Sequence, residues 1–573
     1  VALAFIDGDR IRLSSEWRER ELCKQVPGCK WDENARGWWT TLSWSSCVAL
    51  RGVFGDRLEI DQGLSDWASK EIESRVEPCL RLRQSTEPVD TVYGVDRLEP
   101  LQTVAVEFLT LARRALLGDG MGSGKTVEAI CAVEEMALRY GEDHVFPCLV
   151  VCTNTMVRTW AEELEAWARP DRTIGILKGG AVTRRKIIES RPDFLVINWE
   201  ALASHTNLSG YGSMRLSDKE KEPKELNAVG IKTVVADEAH RGKNPKAKQT
   251  RAWWRLSWDA ENSIAASGTP YSRSPEDLWS IMHGVAPHEW PGKTAWVDRY
   301  GLKAWNPFGG LNVTGLRGDT QDEMFRFLDP RFIRRPTNVV IPNIADKLPP
   351  QIRKVELAPK QRKAYKQMRE EMIAILDDGY TMASDHLVKM SRLLQLASAY
   401  LEIDESGDVR MVSPSCKVDA LVDIMDELDD EPLVVFTVHR QLVDLCAAKL
   451  KKDGVSHGVI TGHVGELERT QAVRRFQEGE SRVVLATMGA GGEGITLTKA
   501  RHVVFLQRSA SLIQNRQAED RVWRRGQDRP VQPIYVVSDN TAEERVLQIG
   551  TERDATFEEM VRDEETLRKM LDL

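Results

Sequence analysis

Three stretches of this chain carry residue types at spacings suited to chemistry on a triphosphate. The first is GDGMGSGKT, residues 118–126. Glycines at Gly120, Gly122 and Gly124 let backbone N–H groups turn toward phosphate oxygens. A helix beginning near Lys125 adds the positive end of its dipole. Lys125 suits the β- and γ-phosphates, and the Thr126 hydroxyl suits a Mg²⁺ ion carried with ATP. The strict GxxxxGK[ST] spacing is missed, because Asp119 stands where its first glycine belongs. The plainer alternative is an ordinary glycine loop ahead of a helix.

The second stretch is TVVADEAH, residues 233–240. An apolar strand runs into two acids. Asp237 is placed to contact the Mg²⁺ shell, and Glu238 to orient and polarise an attacking water. Two surface acids at a strand end would look similar. A phosphate loop upstream favours chemistry, since open α/β sheets bind ligands at the carboxyl ends of their strands.

The third stretch, QAEDRVWRRGQ, lies at residues 517–527. Phosphoryl transfer gains from positioning and from charge supplied at the γ-phosphate. Arg521 and Arg524, three apart on an expected helix, point to one side, with Gln517 one turn earlier on the same face. They suit a reach across a cleft toward a triphosphate held by another domain. A solvated basic helix is the alternative. The expected catalytic set is therefore Lys125, Glu238, Gln517, Arg521 and Arg524.

These residues need elements to hold them. From about Val95 to Pro287, apolar strands (CLVVCT, DFLVIN, TVVADEAH) alternate with amphipathic helices, as in a parallel sheet covered on both faces. From Cys416 the alternation resumes with PLVVFTV, SRVVLAT, RHVVFLQ and QPIYVVS. Between them, LAPKQRKAYKQMREEMIAILDDG predicts one helix from Pro359 to Gly379, with Tyr365, Met368, Met372 and Leu376 on one face. The charged, Gly-containing span from Ser209 to Leu226 reads as a surface insertion. Thr541 and Glu544 have capping-box spacing at the start of a last helix.

The 573 residues allow about three or four domains. The composition, 42% hydrophobic and 29% charged, is that of a soluble globular chain. A net charge of −8, from 79 basic and 87 acidic residues, excludes a uniformly basic nucleic-acid binder but leaves room for a local basic groove. No run of about 18 apolar residues suits a bilayer, and the first residues do not read as a secretory signal. Nine cysteines without a CxxC pair predict reduced thiols and no structural zinc.

In this order the motifs resemble the superfamily-two helicase-type ATPases, and within them the SWI/SNF-type DNA translocases. RLEPLQTVAVEFL is similar to the adenine-recognition segment, with Gln102 as the matching glutamine. LVVCTNTMVRTWAEEL, FLVINWEAL, DEAHRGKNPKAKQTRA and AASGTPYSRSPEDLWSIMHGVAP resemble the first-domain motifs. LVVFTVHRQLVDL, VVLATMGAGGEGITLT and QAEDRVWRRGQ resemble those of the second domain. The chain departs from the family at Trp523, where a histidine is usual, and in SGTPYSRS, which lacks the usual Leu-Gln-Asn.

The resemblance implies an α/β fold of two RecA-like parallel-sheet lobes with helical insertions between them and a small α+β N-terminal module. The expected division is 1–90 for that module, 91–300 for the ATP-binding lobe, and 301–411 for a helical linker and protrusion region. Residues 412–540 form the arginine-bearing lobe and 541–573 a C-terminal helical brace. It implies ATP and Mg²⁺ as cofactors, with Gln102, Gly120, Gly122, Gly124, Lys125, Thr126 and Asp237 on the nucleotide. It implies contact of Thr153, Thr487, Gly491 and Gly492 with a tracked DNA strand. CKQVPGCKWDENARGWWTTLSW resembles the HepA-related domain that precedes the motor in annealing-type relatives and engages DNA junctions or forks. Its tryptophans suit either stacking on nucleic acid or a small core.

The expected protein is a DNA-dependent ATPase that moves along double-stranded or branched DNA to remodel forks, anneal strands or displace bound proteins. The alternatives are a strand-separating helicase and a nucleotide-gated clamp without turnover. It is expected to be a monomer without membrane partners, cytoplasmic and nucleoid-associated, of bacterial or viral type.

Overall fold

The computed structural model describes residues 2–208, 223–269, 275–290, 292–306, 310–341, 343–376, 379–382, 386–405, 407–491, 495–548 and 551. The chain divides into a unit containing Val1–Pro336 and a second beginning at Thr337.

The first unit is built on a seven-stranded sheet. Its order is Phe332–Ile333, Arg114–Leu117, Asn262–Ala266, Thr233–Asp237, Cys148–Cys152, Phe194–Asn198, Ile174–Ile176, and every pairing is parallel. Strands 148–152, 233–237 and 262–266 are buried along their whole length, which accounts for their unbroken apolar runs. Parallel register puts all the carboxyl ends on one edge. The glycine loop, the Asp237–Glu238 pair and the Ser267-Gly268-Thr269 turn leave the sheet together there.

The N-terminal part of this unit carries its own five-stranded sheet, ordered Lys30–Asp32, Gly37–Thr41, Arg10–Ser14, Ala2–Asp7, Leu58–Ile60. Strands 2–7 and 10–14 pair antiparallel across Gly8, whose φ of 62° suits the tight two-residue connection. Its small core gathers Ala2, Ala4, Ile11, Leu13, Cys23, Leu50, Phe54 and Leu64, with Trp38 and Trp67 packed against it. Trp17 and Trp31 lie outside that core, 74% and 49% exposed. The tryptophans therefore divide between packing and surface. Helices 62–71 and 77–84 lead from the module toward the parallel sheet.

The module is docked, not merely tethered. Trp44 Nε1 donates to Arg326 O at 3.0 Å, and Ser45 Oγ to Glu289 O at 2.8 Å. Arg83 meets Asp329 at 2.6 Å in a buried pair. Arg83 thus anchors the end of helix 77–84.

The second unit has a six-stranded, all-parallel sheet ordered Gln351–Val355, Gln532–Ser538, His502–Phe505, Leu433–Thr437, Val483–Thr487, His457–Ile460.

The span 301–411 differs from the helical expectation. Strand 332–333 belongs to the first sheet and strand 351–355 to the second. Antiparallel ribbons form at 301–306 with 310–316 and at 400–403 with 409–412. The helix expected to reach Gly379 ends at Glu371, capped by Met372 at φ 58°. Ile373–Leu376 then pairs antiparallel with Gly379–Met382. Tyr365 and Met368 are buried as the periodicity required, but β-branched Ile373 and Ile375 go to a strand. Most of the 209–226 insertion lies outside the described residues; its end is a short helix, Glu225–Val229, with Leu226 buried. Residues 542–548 are helical. The capping-box reading does not hold there: Thr541 Oγ1 donates to Ser538 O and accepts from Glu543 N, while Glu544 receives Lys354.

Candidate functional site

Strand 114–117 ends at Leu117, and the loop 118–124 delivers the chain to helix Lys125–Tyr140. Gly124 is the residue before that helix and sits at φ 94°, in the left-handed region. The backbone requires glycine there, and a Cβ, 2.2 Å from Gln102 Nε2, would also displace that amide. Gln102 is buried; its Nε2 donates to Ser123 O at 2.8 Å and its Oε1 accepts from Glu99 N at 3.0 Å. The residue matched to adenine recognition therefore also braces the phosphate loop. Gly122 has φ 77°. Gly120 N–H donates to Arg335 O at 3.1 Å. Lys125 Nζ donates to Asp119 O at 2.9 Å and Gly120 O at 3.0 Å. Thr126 follows Lys125 in the first helical turn.

Asp119, where the strict motif has glycine, is fully buried and ion-paired with Arg335. Sequence reasoning missed Arg335. Its signal was present: an Arg-Arg pair directly after the short apolar strand 332–333.

Asp237 closes strand 233–237. Its Oδ2 accepts from Trp160 Nε1 and its Oδ1 from Glu238 N, both at 2.8 Å. Burial, then the neighbouring Glu238 charge, push its carboxyl up to about 6; the bonds from Trp160 and Glu238 N–H and the charge of Lys125 oppose that rise. Trp160, within LVVCTNTMVRTWAEEL, holds the acid. Glu238 is left-handed, φ 49°, which turns it out of the strand direction. His240 Nδ1 lies 3.1 Å from Glu238 Oε2 and 3.4 Å from Ser267 Oγ. The next strand contributes Gly268, where a Cβ would come within 2.7 Å of Met121 and 3.6 Å of Lys125 Nζ. Three consecutive strands of the order thus bring Lys125, Gly268 and Asp237–Glu238 to one edge. Residues 270–274 of SGTPYSRS lie outside the described residues.

Thr153, a DNA-contact expectation, is buried, and its hydroxyl bonds Thr155 Oγ1 at 3.0 Å.

In the second unit, the QAEDRVWRRGQ stretch is not one helix. Helix Leu512–Glu519 stops with Asp520 as its cap, and residues 521–526 continue as turns. Arg521 and Arg524 therefore do not share a helical face with Gln517. The helix stops because the following residues are taken by other bonds. Leu497 N–H donates to Arg521 O at 2.9 Å, Trp523 Nε1 to Ala345 O at 2.7 Å, and Gly526 adopts φ 91°. Gln517 and Arg521 are largely buried, and Arg524 donates to Ile495 O at 3.0 Å. Burial lowers the Arg524 pKa, against the charge of Asp520. Gln527 is structural: its Nε2 approaches the carbonyls of Thr498, Ala500 and Val522 at 3.1, 2.7 and 3.2 Å. Thr487 ends strand 483–487 beside Thr437, and Gly491 closes the short helix Met488–Gly491. Gly492 lies outside the described residues.

Among the described residues, no cluster of three or more His, Cys, Asp or Glu could hold a metal, and no helix is long and apolar enough to cross a membrane. All nine cysteines are free thiols.

A family model described as an SNF2-related domain matches residues 71–402, and one described as a helicase conserved C-terminal domain matches 416–526. The Bos taurus DNA annealing helicase and endonuclease ZRANB3 is 27% identical over 451 residues, 78% of this chain and 39% of the relative. The Bacillus subtilis putative ATP-dependent helicase/translocase YwqA is 26% identical over 462 residues, 78% of this chain and 47% of the relative. The chain thus spans less than half the length of these two relatives. The solved Sulfolobus solfataricus SWI2/SNF2 ATPase core in complex with dsDNA aligns over 82% of this chain and 96% of its own, at 22% identity and a TM-score of 0.37.

Proposed function

The chain belongs to the SNF2-related family of helicase-type ATPases, and from that membership we propose that it hydrolyses ATP to move along duplex or branched DNA. The observation that carries the reading is the shared carboxyl edge of the first sheet. A lysine-bearing glycine loop and a buried acid followed by an outward-turned glutamate emerge there, close enough for the Lys125 charge to act on Asp237.

In this reading Lys125 and the loop N–H groups hold the β- and γ-phosphates, and Gln102 fixes the base side. Glu238, steered by His240, orients water for in-line attack. Arg521 and Arg524 supply charge to the γ-phosphate, and Gln517 assists them. The donor chemistry fits magnesium: the Thr126 hydroxyl and the Asp237 carboxylate are hard oxygen ligands, and both Asp237 oxygens accept from neutral N–H groups. Bound magnesium would neutralise charge on the phosphate oxygens.

Contact with DNA is read as mainly to backbone phosphates, with weak sequence preference and strong salt dependence. Thr487, Gly491 and Gly492 are assigned to that contact on the family pattern; Thr153, buried with its hydroxyl on Thr155, is not. The N-terminal module, with Trp17 and Trp31 at its surface, is read as a recognition element for branched DNA.

The test compares ATPase rates without DNA and with single-stranded, duplex and forked DNA, beside a strand-displacement assay. Duplex stimulation without displacement supports the translocase. Displacement of plain duplex assigns a strand-separating helicase instead. Lys125→Ala and Glu238→Gln each abolish stimulated turnover while the fold persists; wild-type-like turnover in either rejects the site.

A further inference from the structure

Asp119 and Arg335 are 216 residues apart in sequence and joined at the start of the glycine loop. The Arg335 backbone N–H donates to Asp119 Oδ1 at 2.8 Å, and its Nε donates to Oδ2 at 3.0 Å. A second guanidinium nitrogen also reaches Oδ2. The Arg335 carbonyl accepts from Gly120 N–H at 3.1 Å. The remaining nitrogen donates to the carbonyl of Leu101, the residue before Gln102. Glu128, one turn into the helix after the loop, lies 3.6 Å from the same guanidinium. Both partners are buried. One step upstream, Gly118 N–H donates to Ile333 O at 2.7 Å, so strand 332–333 and Arg335 together pin the loop's first three residues.

A circuit results. Arg335 ties Asp119 to Leu101, and Gln102 ties the same segment to Ser123. The loop is held at both ends against the element expected to read the base. An aspartate in place of the strict motif's glycine gives the loop a charged anchor. The guanidinium serves Oδ2 through two nitrogens and the Leu101 carbonyl through the third, while the backbone N–H serves Oδ1; a lysine ammonium, a single point charge, cannot reproduce that planar fork.

We propose that Arg335 is a positioning residue for the nucleotide, fixing the 118–124 loop against Leu101–Gln102 in the geometry that grips the triphosphate. The proposal rests on the ATPase reading above. Arg335 acts through Asp119 and Gly120, with no contact to the reacting atoms required of it.

The test uses Arg335→Gln, Arg335→Lys and Asp119→Asn in the full chain. Readouts are binding of a fluorescent N-methylanthraniloyl-ATP without DNA, KM for ATP and for duplex DNA, and melting temperature. Arg335→Gln and Asp119→Asn weaken the analogue at least about tenfold and raise KM for ATP by a similar factor, leaving KM for DNA within about twofold. Arg335→Lys recovers binding in part, because it keeps the charge without the fork. The double variant Asp119→Asn/Arg335→Gln is no weaker than the worse single one, since both remove one connection. Variants that bind the analogue as tightly as wild type overturn the proposal, whatever their melting temperatures. If Arg335→Gln does not fold, the other two substitutions carry the test. Wild-type protein that fails to bind the analogue sinks the ATPase reading itself; binding by wild type with unchanged variants sinks only the role of Arg335.

Discussion

The indole Nε1 of Trp160 donates to Asp237 Oδ2 at 2.8 Å, joining the helix after one parallel strand to the acid that ends the next strand in the sheet. The donor is neutral, so it orients the carboxylate without cancelling its charge. Asp237 keeps an anion available for a cation in a place where burial opposes ionisation.

A pH dependence follows. With the carboxyl pushed from 3.8 up to about 6, the ionised form is lost as pH falls through about 6. The acid limb of kcat/KM for ATP, which reports the free enzyme, is expected near that pH, whereas a cation bound at Asp237 would favour the anion and move the kcat limb lower. Trp160→Phe removes a bond that favours the anion, so the limb moves to higher pH. The stability sign is opposite to that of a salt-bridged acid. The native state holds the proton more tightly than the unfolded chain, so stability falls as pH rises from about 4 to about 6 and then levels. Denaturant titrations across that window check it; a flat dependence contradicts the shifted carboxyl.

Gly124→Ala is expected to damage the site rather than the fold at large. The backbone is at φ 94°, and the new Cβ would meet Gln102 Nε2 at 2.2 Å. Strain of about 1–3 kcal/mol is expected, with Gln102 displaced from Ser123. The KM for ATP rises more than tenfold, measured beside chemical denaturation.

Gln527→Ala is expected to destabilise the second unit by about 2–3 kcal/mol, because buried carbonyls lose their donor. Gln527→Glu is worse, since a carboxylate would face the same oxygens. Urea unfolding followed by near-UV circular dichroism reads both. A neutral Gln527→Ala would contradict this structural role.

In the N-terminal module, surface and anchor residues separate. Trp17→Ala changes stability by no more than about 0.5 kcal/mol and lowers stimulation by forked DNA. Asp329→Asn, which leaves Arg83 buried with a neutral partner, costs about 3–5 kcal/mol. Urea unfolding beside fork-stimulated ATPase distinguishes the two. Undiminished fork stimulation in Trp17→Ala removes that residue from the recognition surface. Deleting residues 1–90 is a poor probe, because it uncovers Asp329 and the backbone of Glu289 and Arg326.

Much of the candidate site was legible in residue order. The loop GDGMGSGKT needed only its glycines and lysine to be read, and DEAH only its strand. Period and composition also gave two α/β alternations, since a strand buried on both faces must be apolar throughout. Asp237 and Glu238 could be named because a strand's end is a local property.

Other features were decided only by the fold. Arg335 reaches Asp119 because strand 332–333 joins the sheet beside strand 114–117, a pairing that no local pattern reports. The break after Glu519 is set by contacts to Leu497 and Ala345, not by helix propensity. Trp17, on a short helix outside the small sheet, is exposed, while Trp38, on strand 37–41, is half-buried against the small core; the fold around each settles the difference. Sequence determines what a residue can do within a turn or two of itself. Partners hundreds of residues away are chosen by the topology that brings them together, and by the cost of burying any charge left without one.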